Sequence, residues 1–133
     1  MESQKHQELC KKVFRRIVPA ELKEASIYAQ SLSLPEYHAP QPINGFIPDI
    51  LIYKNNSSEI IIGEAKTESD IDNKHTINQF EAFLLHSVLF KRFVIYYEVE
   101  SILSSQLRHL FFKAKLNRNL RHMKNVLING EAF

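Results

Sequence analysis

Two isoleucine-rich runs separated by a short polar turn constrain this chain more than any other feature. Phe46–Tyr53 (FIPDILIY) and Glu59–Lys66 (EIIIGEAK) read as strands, and Lys54–Asn55–Asn56–Ser57–Ser58 between them reads as a turn. A turn centred between Asn56 and Ser57 sets Asp49 directly across from Glu64, with Cβ atoms roughly 4.5–5.5 Å apart. Alternation along the strand puts Glu64 and Lys66 on one face with Ile60 and Ile62. The hairpin therefore gathers two carboxylates and an ammonium on a mostly apolar sheet face. Like charges opposed across strands destabilise a sheet, and burial adds a desolvation cost unless the charges are paired or hold a metal. Two readings follow. In one, Lys66 is a counter-ion in a solvated structural cluster. In the other, a hard divalent cation sits between Asp49 and Glu64, because carboxylate oxygens plus waters are what Mg²⁺ takes.

The remaining elements are read around that hairpin. In Glu2–Val18, Leu9, Val13, Phe14 and Ile17 recur at helical spacing, with Lys11, Lys12, Arg15 and Arg16 at other positions. Pro19 suits the first turn of a second helix over Ala20–Leu32, with Leu22, Ala25 and Ala29 facing inward. Ser31–Gly45, punctuated by Pro35, Pro40 and Pro42, reads as a connecting loop with a short strand around Glu36–His38 or Pro42–Phe46. The polar run after Lys66 ends the strand and caps a helix starting at Asp72 or Asn73. That helix sets Ile77, Phe80, Phe83, Leu84 and Val88 against the sheet, with Gln79 off the apolar face. Arg92–Val99 is too continuously apolar for a sheet edge.

Ser101 or Ser104 caps a last helix, about Ser104–Lys124, with Leu107, Leu110, Phe111, Ala114 and Leu120 as its stripe. Its charges are Arg108, Lys113, Lys115, Arg118, Arg121 and Lys124, and no acidic residue occurs from Ser101 to Gly130. One-signed charge on an amphipathic helix suits a phosphate backbone; the alternative is a solvated face. Asn125–Asn129 reads as a final edge strand. At 133 residues the chain fits a single domain, and 44% hydrophobic with 24% charged residues is a globular balance. One cysteine, Cys10, excludes an internal disulfide and fits a reducing, cytoplasmic setting. Beside Leu9 on a helix, Cys10 reads as core rather than nucleophile. No apolar run has the length of a membrane span, so no membrane partner is expected.

Pro48–Asp49, followed fifteen residues later by Glu64–Ala65–Lys66, resembles the signature of the PD-(D/E)xK nuclease superfamily. That group includes many restriction endonucleases, archaeal Holliday-junction resolvases and the nuclease domains of helicase-nucleases. Over residues 20–99 the order of helix, strands, helix and strand is also similar to the superfamily core. The resemblance implies an α/β (α+β) fold, a restriction endonuclease-like three-layer core with a central mixed sheet flanked by helices. It implies that Asp49, Glu64 and the carbonyl of Ala65 hold Mg²⁺, with Mn²⁺ as a substitute, while Lys66 orients the attacking water. Gln79 matches a glutamine that some branches place beside the lysine, and His75 lies one turn earlier. Branches that add an acidic residue on the preceding helix make Glu21 and Glu24 candidates. The superfamily also needs a further strand beside the Asp49 strand, and Ser31–Gly45 supplies little β pattern for it.

The expected partner is nucleic acid, DNA before RNA, contacted by Arg108, Lys115, Arg118, Arg121 and His75, with room for a homodimer. Two alternatives stand beside the Mg²⁺-dependent nuclease. One is a non-cleaving nucleic-acid-binding or assembly module of the same fold. The other is a structural salt bridge in an unrelated α/β protein.

Overall fold

The computed structural model describes residues 2–21, 23–117 and 125–132. Leu22, Arg118, Leu120, Arg121 and Lys124, given core or phosphate-binding positions above, lie outside the described residues. The elements are α1 (Gln4–Glu21), β1 (Ala25–Ala29), β2 (Ile50–Lys54), β3 (Glu59–Lys66), α2 (Asn73–Ser87), β4 (Arg92–Val99), α3 (Ser104–Asn117), β5 (Val126–Ile128) and β6 (Glu131–Ala132). The strands form one mixed sheet in the order β1-β2-β3-β4-β5-β6. β2–β3 is an antiparallel hairpin, whereas β3–β4 and β4–β5 are parallel and are joined through α2 and α3.

Three layers result. α1 buries Val13 and Ile17 on one face with Ile50, Ile52 and Ile61. On the other face Phe80, Phe83 and Phe111 from α2 and α3 pack with Ile60, Ile62, Ile95 and Tyr97. Fully burying each such side chain contributes roughly 1.5–3 kcal/mol. The Phe80 and Phe111 rings stack with centroids 3.8 Å apart, and Phe111 lies 4.7 Å from Tyr97. Gly63 lets α1 approach the sheet: a Cβ there would lie 3.1 Å from Ile17 Cδ1 and 3.2 Å from Ile50 Cβ. A part-buried ion pair ties the same helix to β4, Arg16 Nε donating to the buried Glu98 Oε1 at 2.5 Å.

The hairpin has the expected register. Lys54 pairs with Glu59 and Ile50 with Gly63, and Asn55, Asn56 and Ser57 all take positive φ in the turn. Three expectations are corrected. The second helix over Ala20–Leu32 is absent: α1 continues through Pro19 to Glu21, Glu24 turns the chain at φ 55°, and Ala25–Ala29 pairs antiparallel with β2. The strand required beside the Asp49 strand is thus β1, upstream of the loop where it was sought. Within that loop the only β pairings among the described residues are isolated bridges, Tyr28 with His38 and Ile43 with Phe46. Asn44 and Gly45 close the second with φ of 50° and 89°, as a two-residue hairpin turn requires.

The other two corrections concern the far half of the chain. Val88 follows the last helical residue and is exposed rather than packed on the sheet. β5 is not an edge, because Gly130 folds the tail back as β6 beside it.

Candidate active site

The register that pairs Ile50 with Gly63 brings the next residues outward, Asp49 and Glu64, face to face. Past the end of β2 their side chains take over from the backbone ladder. Asp49 N–H donates to Glu64 Oε1 at 2.8 Å, and Ala65 N–H donates to Asp49 Oδ2 at 2.9 Å. Lys66, two residues beyond Glu64 on the same face of β3, places Nζ 3.6 Å from Glu64 Oε2. All three side chains are buried, with relative exposures of 5% for Asp49, 3% for Glu64 and 5% for Lys66. The hairpin and its neighbouring layers therefore collect the trio at the C-terminal end of β3.

Electrostatics at this point are unbalanced. Burial first, and then the Asp49 carboxylate, push the Glu64 carboxyl up to about 8, although Lys66 and the Asp49 N–H pull the other way. Two buried carboxyl groups within hydrogen-bonding reach of each other oppose each other's ionisation, and Lys66 beside Glu64 and the His6 imidazole beside Asp49 offset part of that cost. The backbone hydrogen bonds engage Asp49 Oδ2 and Glu64 Oε1. They leave Asp49 Oδ1 and Glu64 Oε2 as hard oxygen donors, a set that fits Mg²⁺ or Mn²⁺.

The N-terminal segment contributes two residues that the sequence reading did not assign, His6 from the first turn of α1 and Glu2 just ahead of it. His6 Nε2 lies 3.2 Å from Asp49 Oδ2, and His6 Nδ1 lies 2.6 Å from Glu2 Oε2. The contact with Asp49, followed by that with Cys10, holds the His6 imidazole up to about 12. Ser3 caps this end of α1 through a 3.1 Å bond from His6 N–H to its Oγ. Glu2, His6 and Asp49 open onto a cleft of about 530 Å³ that Gln30, Ser69 and Asp70 also line. A signal for His6 existed in the sequence. His6 and Cys10 extend, at a four-residue step, the face of α1 that buries Val13 and Ile17.

The other assigned residues are dispersed. Gln79 is buried on α2, not off the buried face, and its Oε1 has no hydrogen-bond partner. Thr76 Oγ1 on the same helix, and the hydroxyl of Tyr97 opposite Glu64 in the β3–β4 register, are likewise buried without partners. His75 is exposed, its ring tilted edge-on against Phe46 at 5.4 Å, so it does not share Gln79's environment. Glu21 is corrected outright. It sits at the opposite end of the sheet, where its carboxylate binds Arg92 at 2.6 Å and Lys54 at 3.2 Å. Glu24 lies exposed in the turn at that same end. Lys115 is buried rather than presented to a ligand, and burial lowers its pKa. Arg108 is engaged with Glu131 at 3.2 Å. Arg118 and Arg121 lie outside the described residues.

Comparison of the chain with protein families, with curated proteins and with solved structures finds no match. No helix among the described residues is long and apolar enough to cross a membrane.

Proposed function

We propose that this protein is a Mg²⁺-dependent nuclease that hydrolyses phosphodiester bonds, with DNA as the favoured substrate. One observation carries the reading: two buried, mutually opposed carboxylates, Asp49 and Glu64, with Lys66 Nζ 3.6 Å from the second. The fold class and the PD-(D/E)xK-like spacing support it. Asp49, Glu64 and the Ala65 carbonyl would hold the cation, which when bound supplies an activated water and offsets charge on the phosphate. Lys66 would orient the attacking water and donate to a non-bridging phosphate oxygen beside it, where charge builds in the transition state. An ammonium is suited to that point-charge role. The hydrogen bonds from Asp49 N–H and Ala65 N–H fix both carboxylates before substrate arrives, so little reorganisation is needed during the reaction.

A cleavage assay over linear, circular, branched and single-stranded substrates with Mg²⁺ or Mn²⁺ tests this reading, paired with melting curves. Lys66→Ala is expected to lower cleavage by roughly 10²–10³-fold, the scale of losing one charge-stabilising donor, while Mg²⁺ still raises its Tm. Asp49→Asn should lose both cleavage and the Mg²⁺-dependent rise in Tm, because a neutral amide is a poor partner for a hard cation. Chelation of divalent cations should stop cleavage by the parent. A parent that cuts none of these substrates, and whose Tm never responds to Mg²⁺ or Mn²⁺, would leave the trio as scaffolding. A parent that binds DNA and Mg²⁺ without cutting would instead be a binding module.

A further inference from the structure

Beside the carboxylate pair, on the side of His6 turned away from Asp49, lies a second constellation. His6 and Cys10, four residues apart, share one face of α1, and Glu2, two residues before the helix begins, is held against them. Cys10 Sγ lies 3.7 Å from His6 Nδ1 and 3.9 Å from Glu2 Oε2, and His6 Nδ1 lies 2.6 Å from that same oxygen. We infer that Glu2, His6 and Cys10 form a site for a borderline divalent cation, Zn²⁺ in particular, separate from the Asp49–Glu64 centre. The inference does not rest on the nuclease reading.

Geometry is the first support. Zn–S bonds of about 2.3 Å and Zn–N or Zn–O bonds of about 2.0–2.1 Å, at tetrahedral angles, imply ligand-to-ligand edges of roughly 3.3–3.6 Å. Both sulfur edges are within a few tenths of an ångström of that figure. The third edge is shorter because a hydrogen bond closes it, and a cation entering there replaces that bond. Its donor set, one thiolate, one imidazole and one carboxylate, suits zinc and not magnesium.

The surroundings are the second support. Glu2 is anchored through its other oxygen, Leu32 N–H donating to Oε1 at 2.8 Å, which leaves Oε2 turned to His6. His6 has its remaining nitrogen, Nε2, 3.2 Å from Asp49 Oδ2. With a cation on Nδ1, Nε2–H donates to that carboxylate, the arrangement that fixes the tautomer of zinc-bound histidines. Cys10 is fully buried, and the reaction described above does not use it. The cleft beside Glu2 leaves the fourth tetrahedral position to water.

Co²⁺ added to the full-length, reduced protein tests the site by absorbance, and Zn²⁺ displacement then reports affinity. One equivalent of Co²⁺ is expected to give tetrahedral d–d bands and a thiolate charge-transfer band, both erased by Zn²⁺. Cys10→Ser should remove the charge-transfer band and weaken Zn²⁺ by more than about 100-fold, beyond the ~10–100-fold cost of an outer partner. Glu2→Gln, which changes only the rim of the cluster, should weaken Zn²⁺ while keeping the thiolate band. It serves if the buried serine variant fails to fold. Asp49→Asn should retain the band, which separates this site from the proposed catalytic centre. A parent with no charge-transfer band overturns the inference. So does a band that persists in Cys10→Ser, or Zn²⁺ affinity unchanged in Glu2→Gln.

Discussion

Asp49, Glu64 and Lys66 were legible in the sequence because their placement is a local matter. A symmetric turn of known centre fixes the register, and the register fixes who faces whom. The contact of His6 with Asp49 was not, because it forms only through the packing of α1, whose angle on the sheet no local rule supplies. Gly63 governs that approach. Gly63→Ala forces a methyl into contacts of 3.1–3.3 Å with Ile17 and Ile50. It is expected to lower stability by about 1–3 kcal/mol, the usual cost of overpacking. Chemical denaturation with an unchanged m-value checks this, and a variant as stable as the parent would mean that Ile17 can step aside freely. Because Gly63 adjoins Glu64, the same variant should weaken any Mg²⁺-dependent rise in Tm.

At the scale of elements, strands flanked by clear turns read correctly and Ala20–Leu32 did not. Its alanines and glutamates favour helix, but Ser26, Ile27 and Tyr28 find backbone partners on β2, and that pairing overrides the propensity. Glu21, expected beside a metal, instead joins the N-terminal end of β4 to the C-terminal end of β2. Arg92 first, and Lys54 second, hold its carboxyl below the usual carboxylate range. A folded pKa below the unfolded one means that this stabilisation is present above about 4.5 and is lost as pH falls through the folded value. Arg92→Ala is therefore expected to cost about 1–2 kcal/mol near pH 7, reduced by the partial exposure of Arg92. It should also make the fall in Tm below pH 5 shallower. A parallel pH–Tm series checks both; identical acid slopes would show that Lys54 alone suffices.

For the whole molecule, a mixed sheet flanked by helices was an expectation of the family resemblance; the structure has that arrangement, and β3 and β4, buried on both sides, require the two covers. The tail was misjudged because a two-residue strand such as β6 has no period to read. Strand order in the sheet repeats strand order in the chain, β1 through β6, and this bears on how the protein assembles in time. Each strand can add to the free edge left by the one before it, and an isolated hairpin such as β2–β3 closes in about 1–10 μs. α1 is the exception. Its ion pair joins Arg16 to Glu98 across 82 residues of chain, so loop closure defers it until β4 is in place. Asp49 and Glu64 would then meet before the helix bearing His6 docks over them. Arg16→Ala should accordingly speed unfolding and leave the refolding rate unchanged. A chevron with a slowed refolding arm would instead put the docking of α1 ahead of the folding barrier.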